Sequence, residues 1–173
     1  MDFRLFFWVF LILLLVIEIP MFVGGFSAAP WLPTSRRDLP RINRLAGLKP
    51  GQVFFDIGCG DGRICDYIAV KNPKVKVFGY EIAYPVYLIG KVRSLFRKNV
   101  SIQLKDIFKV DFSRADVVYF WGIKKGVKML MPKFAQMRRG SKLILYSHEL
   151  PGRKADIIDR PMDKDVPLYV YNF

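Results

Sequence analysis

The sequence predicts an α/β fold in which a doubly wound, mostly parallel sheet follows an N-terminal membrane-spanning helix. From Val53 onward, short apolar segments bounded by turn residues alternate with segments of helical period, which is typical of strands covered by helices on both faces. The last two apolar segments have no helix between them, so they can form a hairpin that leaves one strand antiparallel. Before residue 24, a nearly unbroken apolar stretch has about the length that a bilayer requires.

Seven strands are expected in this Rossmann-like sheet, together with four helices after the membrane-spanning segment. The strands are predicted at residues 53–57, 76–81, 101–105, 116–121, 142–147, 155–159 and 168–172. The helices are predicted at 38–46, 63–70, 84–96 and 124–137. With 173 residues the chain has room for one catalytic domain and a short appendage. We therefore divide it into an anchor (1–26), a connector with a basic helix (27–50) and the main domain (51–173).

The N-terminal stretch is predicted to be a membrane anchor. Every residue from Leu5 to Ile17 is apolar, and Glu18 lies toward the far end, where it can reach the interface. A cleaved signal peptide and a buried amphipathic helix are the alternatives. Arg4 alone precedes the stretch, and the arginines that follow it are Arg36, Arg37, Arg41 and Arg44. The positive-inside rule therefore predicts a single-pass membrane protein whose main domain faces the cytoplasm.

The composition favours a membrane or a polyanion as a partner, because 52% of the residues are apolar and the formal net charge is +13. Cys59 and Cys65 lie within one predicted loop and the helix after it, where a disulfide has little to stabilise, so reduced thiols are expected. The only histidine is His148, and no Cys/His cluster has metal-site spacing. No protein-bound metal is predicted.

The first strand-to-helix turn is the predicted ligand site, since ligands of open α/β sheets bind at the carboxyl ends of the strands. The turn reads Asp56-Ile-Gly-Cys-Gly-Asp-Gly62. Its G-x-G-x-G spacing differs from the dinucleotide pattern G-x-G-x-x-G. The carboxylates of Asp56 and Asp61 would repel a pyrophosphate but suit a ligand that carries a sulfonium and an amino group. S-adenosylmethionine (SAM) carries both, and it is the predicted cofactor.

Two further carboxylates complete the predicted cofactor site. Glu81 ends the second strand, where it is placed to accept hydrogen bonds from ribose hydroxyls, as the acidic residue does in dinucleotide folds. Asp106 follows the third strand and is placed to receive the adenine amino group. Each signal is weak alone, and together they are strong. A nucleotide-binding or inactive protein of the same fold is the alternative.

The order of elements and motifs resembles the class I SAM-dependent methyltransferases over nearly all of residues 34–173. Four segments narrow the resemblance: Ala29-Pro-Trp-Leu-Pro-Thr34, Asp56-Ile-Gly-Cys-Gly-Asp-Gly-Arg63, Gly79-Tyr-Glu81 and Lys105-Asp-Ile-Phe108. They look like the small membrane-anchored protein-lysine methyltransferases. That family modifies mitochondrial inner-membrane proteins, including the ATP synthase c subunit and the adenine nucleotide translocase, and it has prokaryotic relatives.

The resemblance implies roles for particular residues. Pro33 and Thr34 are expected over the cofactor, the glycine turn around its methionine part, Glu81 at its ribose and Asp106 at its adenine end. The full set of expected cofactor-binding residues is Pro33, Thr34, Asp56, Gly58, Cys59, Gly60, Gly62, Glu81, Ile82, Asp106, Ile107 and Trp121. The chain departs from the family at Ile82-Ala-Tyr-Pro85, where Asn-Pro is expected, and at Trp121-Gly-Ile-Lys-Lys125, where a Leu-Pro segment is expected. The second departure borders the acceptor pocket and therefore bears on the substrate.

The acceptor is expected to be a lysine of a membrane protein. Its amine must lose a proton, and an apolar aromatic pocket lowers the pKa of a lysine. Tyr119, Phe120 and Trp121 are candidate walls, although the first two also fit a structural core. His148 and Glu149 follow the fifth strand and, with Trp121, are the candidate catalytic residues. No residue is identified as a catalytic base, and His148 also fits a purely structural role.

Nucleic acid is the competing partner. The basic residues Lys91, Arg93, Arg97, Lys98, Lys124, Lys125, Lys128 and Lys133 are diffuse and form no recognition motif. Positive charge facing a bilayer of anionic lipid accounts for them more simply. A methyltransferase acting on RNA, a lipid or a small molecule remains the alternative function.

Overall fold

The computed structural model describes residues 2–12, 14 and 32–173. Residues 3–12 are helical. Within the described ranges, no helix combines the length and the apolar character needed to cross a bilayer. Residues 1, 13 and 15–26 of the predicted anchor lie outside those ranges, as does the Ala29-Pro-Trp31 part of the connector. The anchor and the domain division therefore stay predictions.

The described residues contain one seven-stranded sheet, with strand order β3-β2-β1-β4-β5-β7-β6. The strands are β1 (Val53–Ile57), β2 (Lys76–Glu81), β3 (Val100–Leu104), β4 (Val117–Trp121), β5 (Lys142–Tyr146), β6 (Ile157–Asp159) and β7 (Leu168–Asn172). Strands β1 to β5 pair in parallel, whereas β7 is antiparallel to both β5 and β6. The predicted mostly parallel sheet with one antiparallel strand is confirmed.

Four helices follow the N-terminal segment: α1 (Leu39–Ala46), α2 (Arg63–Lys71), α3 (Tyr84–Arg93) and α4 (Lys124–Phe134). Two of them are shorter than the sequence predicts. Helix α3 stops before Leu95 and Phe96, which are exposed and have no core to pack against. Helix α4 stops two residues after Pro132, which lacks the N–H that would continue the hydrogen-bond ladder.

Side chains of alternate residues on each strand pack into two hydrophobic cores, one on each face of the sheet. On β4, Tyr119 packs with α1 and α2, whereas Phe120 packs with Phe134 of α4. Phe120 is therefore a core residue and not a wall of an acceptor pocket, which corrects one of the three candidates. Between β3 and β4 the chain makes only two 3₁₀ turns, Ile107–Lys109 and Phe112–Arg114.

The strand order reverses between β1 and β4, which pair with each other at the middle of the sheet. From β1 the chain moves outward to β2 and β3, then returns to β4 and continues the other way. Such a reversal opens a crevice at the carboxyl ends of the two central strands. The glycine turn after β1 and Trp121 at the end of β4 both lie at this crevice.

Candidate cofactor and acceptor site

The glycine turn wraps over the end of β2. Gly58, Gly60 and Gly62 have φ values of 75°, 54° and 71°, in the region that other residues adopt at a cost. This conformation turns the amide groups of Gly58 and Cys59 toward the carbonyl oxygen of Tyr80, at 2.9 and 3.0 Å. The pattern of three alternate glycines is therefore required by the backbone, as the sequence suggested.

Gly62 has a second reason to lack a side chain. It precedes the first residue of α2, and a Cβ there would lie 3.1 Å from the Cα of Gly90 in α3. The two helices approach closely at this pair of glycines. Because α2 and α3 follow β1 and β2, this contact fixes the two strand ends that carry the predicted cofactor groups.

Asp56 is a carboxyl group buried at the carboxyl half of β1, with 1% of its surface exposed. Its one side-chain hydrogen bond in the described structure comes from the thiol of Cys65, at 3.4 Å. The pKa of Asp56 is raised from 3.8 to about 7, mainly by burial; the hydrogen bond from Cys65 opposes this shift, and the nearby charges of Glu81 and Asp61 add to it. A cationic ligand group beside Asp56 would lower this pKa again and favour the ionised carboxylate.

Glu81 is buried at the end of β2, beside the glycine turn. One carboxylate oxygen accepts from the amide of Gly60 at 2.9 Å, and the other accepts from the amides of Ile82 and Ala83, both at 2.8 Å. A carboxylate offers about four lone-pair sites. Glu81 therefore has room for about one more donor, and accepting both ribose hydroxyls requires the Gly60 amide to move away.

Asp61 does not act as the sequence suggested. Its carboxylate accepts hydrogen bonds from Arg63 at 2.7 Å and from Arg93 at 2.9 Å. Burial alone would raise the pKa of Asp61, but the hydrogen bonds of Arg63 and the charges of both arginines hold it below its usual value. Its charge is thus balanced within the protein. The electrostatic preference for a cationic ligand rests on Asp56 and Glu81.

The end of the connector, at Pro33 and Thr34, contacts the glycine turn. The carbonyl oxygen of Thr34 accepts a hydrogen bond from Arg63 at 2.9 Å, and the Thr34 side chain is buried. Pro33 precedes it at the surface. Arg63 joins this segment to Asp61 inside the glycine turn, so Pro33 and Thr34 lie beside the predicted cofactor turn, as the family resemblance implies.

The buried hydroxyl of Tyr119 is a candidate ligand contact that the sequence did not reveal. It pairs with Asp56 across β1 and β4 and is fully buried, yet its hydroxyl has no hydrogen-bond partner in the described residues. Burial raises the pKa of Tyr119 well above its usual value, and the nearby Thr34 side chain opposes that shift without forming a hydrogen bond of normal geometry. An unpaired buried hydroxyl is costly, and a ligand beside Asp56 would give it a partner.

A polar network joins helix α1 and the residue before it to strands β5 and β6. The sequence-based prediction did not include it. Tyr146 donates to Asp38 at 2.7 Å, and Arg41 bridges Asp38 and Asp159 at 2.6 and 2.8 Å. The ring of Trp121 lies 4.8 Å from that of Tyr146. The network therefore supports the aromatic pair at the crevice. Bonded partners in it lie up to 118 residues apart, so no local pattern could reveal it.

The carboxyl end of β5 opens into a cavity of about 640 Å³. His148 and Glu149 both line it, together with Lys124 and Tyr169. Ser147, also in the lining, has a φ of 79° and is the one residue other than glycine with positive φ in the described structure. Backbone strain of this kind is concentrated at functional sites. His148 and Glu149 are thus brought together in one cavity, on the side of the crevice opposite β2. The third candidate, Trp121, does not line this cavity and packs with the core on the face of the sheet that α1 and α2 cover.

The adenine end of the predicted site lies between β2 and β3. The amide of Lys105 donates to the carbonyl oxygen of Glu81 at 2.9 Å, which places Asp106 near the end of β2. The Asp106 carboxylate accepts from the amide of Phe108 at 3.0 Å. Ile82 is largely exposed and Ile107 is half-buried. These apolar side chains are available to an adenine ring.

The residues present fit SAM. A buried carboxyl of raised pKa, a buried hydroxyl without a partner in the described residues and a second buried carboxylate lie beside a turn whose three glycines have positive φ. Asp56, Tyr119 and Glu81 would hold the ligand from the sheet, and Thr34 from the connector. Among the described residues, no group of three or more His, Cys, Asp or Glu has the arrangement of a metal site.

Comparison with known proteins agrees with this geometry. The ANTKMT methyltransferase domain matches residues 56–157. A protein-lysine N-methyltransferase of Saccharolobus islandicus is 28% identical over 151 residues, which are 82% of this chain and 92% of that protein. A lysine N-methyltransferase of Caenorhabditis elegans that is named for the ATP synthase C-subunit is 24% identical over 152 residues, 82% of this chain and 79% of that protein.

Among solved structures, an RNA methyltransferase of Salinibacter ruber in complex with S-adenosylhomocysteine superposes with a TM-score of 0.76. The two are 22% identical, and the match covers 82% of this chain and 93% of that one. At this identity the similarity shows the shared fold and does not transfer a substrate.

Proposed function

This chain belongs to the ANTKMT methyltransferase family, and we propose that it methylates lysine side chains of a membrane protein while anchored in the same membrane. The chain is a SAM-dependent methyltransferase with a Rossmann-like catalytic domain. The observation that carries the proposal is the burial of Asp56 and Glu81 at adjacent strand ends under the glycine turn, in a chain that this family matches from residue 56.

Bound SAM supplies an electrophilic methyl group on a sulfonium sulfur. The chain's own residues would hold and orient it: Asp56 and Tyr119 would hold the methionine part, Glu81 the ribose, and Ile82 and Asp106 the adenine end. Because the leaving group is good, the protein gains most by aligning the acceptor amine and excluding water. Rigid placement of these groups on strand ends serves that purpose.

The acceptor side of the site suits an amine. The cavity beside β5 carries the exposed carboxylate of Glu149, which attracts a lysine ammonium group from solution. At the ends of β4 and β5, on the face of the sheet that α1 and α2 cover, the aromatic rings of Trp121 and Tyr146 offer a less polar environment. Desolvation there lowers the pKa of a lysine and favours the neutral amine that attacks the methyl group. His148 lines the cavity together with Glu149, and it is the proposed acceptor of the proton.

Four features support the proposed membrane location and acceptor. The sequence from Leu5 to Ile17 is wholly apolar, and the net charge of +13 favours an anionic surface. The arginines after the apolar stretch favour a cytoplasmic catalytic domain. The relative from Caenorhabditis elegans is named for a lysine of an ATP synthase component, and we extend that class of acceptor to this chain.

The proposal is tested with the full chain and membrane extracts. Purified protein is incubated with SAM carrying a labelled methyl group and with separated protein, RNA and lipid fractions. We expect label in membrane protein, located on lysine by mass spectrometry, and its loss in Asp56→Ala. The matched control is Asp163→Asn, an exposed carboxyl far in sequence from the site. Label that enters RNA or lipid instead of protein contradicts the lysine assignment.

The orientation has its own test. Protease is added to intact cells and to inside-out vesicles that contain the full chain. We expect cleavage of the catalytic domain in the vesicles and protection in cells. Digestion in intact cells would reverse the proposed cytoplasmic location.

A further inference from the structure

Helix α3 presents an apolar surface to solvent. Tyr84, Leu88 and Val92 recur at intervals of four residues and share one side of the helix, and Leu95 and Phe96 continue it beyond the helix end. We refer to these five side chains as the α3 patch. Val92, Leu95 and Phe96 are 72%, 71% and 87% exposed. Contiguous exposure of large apolar side chains marks an interaction surface.

The position of the α3 patch explains why the rest of the domain leaves it uncovered. Helix α3 packs on β3, which is the edge strand of the sheet. Its buried residues are only Val86 and Gly90. A helix with so small a buried face has most of its circumference left for a partner.

The segment that carries the patch has charges of one sign. From Ile82 to Lys105 the chain contains no acidic residue and five basic ones, Lys91, Arg93, Arg97, Lys98 and Lys105. Arg93 and Arg97 are paired with Asp61 and Asp66. Lys91, Lys98 and Lys105 are exposed and form no ion pair within the described residues. The patch is therefore an apolar surface bordered by unpaired positive charge.

We infer that the α3 patch inserts into the surface of a bilayer that contains anionic phospholipid. An apolar helix face enters the boundary of the acyl chains, and lysines at its border meet lipid phosphates; this is the arrangement of interfacial helices. A protein partner would have to offer an apolar surface bordered by acidic side chains, whereas a bilayer of anionic lipid combines acyl chains and negative charge in one surface.

The inference rests on the proposed membrane location and makes it more specific. Helix α3 begins three residues after Glu81, at the cofactor end of β2. The helix then runs back to the start of β3, so contact along its length lays the β3 edge of the domain on the bilayer, with the cofactor end of the sheet beside the surface. In that position the site meets lysines at the membrane interface rather than lysines of soluble proteins.

Lipid contact is measured with the full chain in vesicles of phosphatidylcholine and phosphatidylglycerol. A polarity-sensitive fluorophore is attached at Phe96→Cys, and lipids that carry a quencher are added. The control site is Ile158→Cys, an apolar residue of similar character, 53% exposed on β6 at the opposite edge of the sheet. A third site, Val9→Cys, reports on the N-terminal segment. Cys59 and Cys65 are buried, and the labelled unsubstituted chain gives the background.

We expect strong quenching at position 96, little at position 158, and a loss of quenching at 96 when phosphatidylglycerol is left out. Replacing Lys91 and Lys98 by Glu should reduce the fraction of protein whose α3 patch contacts lipid, measured by quenching at position 96, by about fivefold or more. Equal quenching at positions 96 and 158 overturns the inference. A fluorophore at position 96 that reports an apolar environment but is not quenched by the lipids also overturns it, because its surroundings would then be protein.

The third site separates this inference from the proposed function. Quenching at position 9 without quenching at 96 leaves the anchor intact and refutes the α3 contact. Quenching at 96 without quenching at 9 supports the α3 contact and contradicts the anchor. Absence of quenching at both positions refutes both.

Discussion

The carboxylate of Glu81 accepts a hydrogen bond from the backbone amide of Gly60 at 2.9 Å, so the acidic residue of β2 and the glycine turn of β1 are joined directly. The bond occupies a position on Glu81 that a ribose hydroxyl would need. Cofactor binding at this site therefore exchanges a bond within the protein for bonds to the ligand, and the backbone of the turn has to adjust.

Replacing Glu81 by Gln keeps the shape but removes one acceptor oxygen. The amide nitrogen of Gln faces either the Gly60 amide or the amides of Ile82 and Ala83, and leaves a buried donor without a partner. We expect the affinity for S-adenosylhomocysteine to fall at least about tenfold and the unfolding free energy to fall by about 1 to 3 kcal/mol. Calorimetry and denaturant titration measure the two effects. Unchanged affinity in Glu81→Gln, with Asp163→Asn as the exposed control, would refute the assigned role.

The raised pKa of Asp56, about 7, predicts a pH-dependent stability for the unliganded protein. Between pH 4 and pH 7 the folded state holds a proton on Asp56 that the unfolded state, with a pKa of 3.8, releases. Stability therefore falls as pH rises, by about 1.4 kcal/mol per pH unit for this one group. Denaturant titrations across this range should show the slope in the native protein and not in Asp56→Asn. Equal slopes in the two proteins would contradict the prediction.

Cofactor binding should depend on pH in the opposite direction. A cationic ligand group favours ionised Asp56, so the affinity for SAM should rise as pH increases through 7. At pH 6 binding should release a proton, which calorimetry detects as a heat that varies with the ionisation enthalpy of the buffer. The ligand has titrating groups of its own, and Asp56→Asn retains their contribution, so the difference between the two proteins isolates Asp56.

Tyr119 and Tyr146 form a matched pair of buried hydroxyls, one without a partner in the described structure and one bonded to Asp38. We expect Tyr119→Phe to leave the unliganded protein as stable as the native one or more so, and to weaken S-adenosylhomocysteine binding. Tyr146→Phe should lower the unfolding free energy by about 1 to 2 kcal/mol. Denaturant titration and calorimetry check both variants. A clear loss of stability in Tyr119→Phe would mean that its hydroxyl already has a partner, and the ligand-facing role would be lost.

The strands and the glycine turn could be predicted because their signals are local. β1 and β2 begin and end at the predicted residues, since each is a short apolar run bounded by turn residues. The positive φ angles at Gly58, Gly60 and Gly62 follow from the same few residues that reveal the motif. Local sequence thus specifies both the cofactor turn and the strand that precedes it.

Contacts between distant residues were not predictable in this way. Asp61 looked like a ligand group until Arg93, in another helix, was found beside it. The bond from Tyr146 to Asp38 joins residues 108 positions apart. Pairing of this kind depends on which helices pack together, and neither hydrophobic period nor motif spacing contains that information. The strained Ser147 is also specified by its tertiary surroundings, because serine has no intrinsic preference for positive φ.

Gly79 is required by packing rather than by backbone conformation. A Cβ at this position on β2 would lie 2.7 Å from Cys59 Sγ, 2.7 Å from Ile102 Cδ1 and 2.8 Å from Cys65 Sγ. Gly79→Ala should therefore lower the unfolding free energy by about 1 to 3 kcal/mol, the usual cost of overpacking a core. Because Cys65 also donates to Asp56, the displacement of its thiol should weaken cofactor binding as well.

Shortening the neighbouring side chain tests the packing explanation. Ile102→Val removes the Cδ1 atom, so the double variant Gly79→Ala with Ile102→Val should recover part of the lost stability, whereas Ile102→Val alone should cost about 0.5 to 1.5 kcal/mol. A double-mutant cycle from denaturant titrations gives the coupling between the two sites. Additive losses would mean that the crowding at Ile102 is relieved in some other way, and the remaining cost would then lie with the two sulfur atoms.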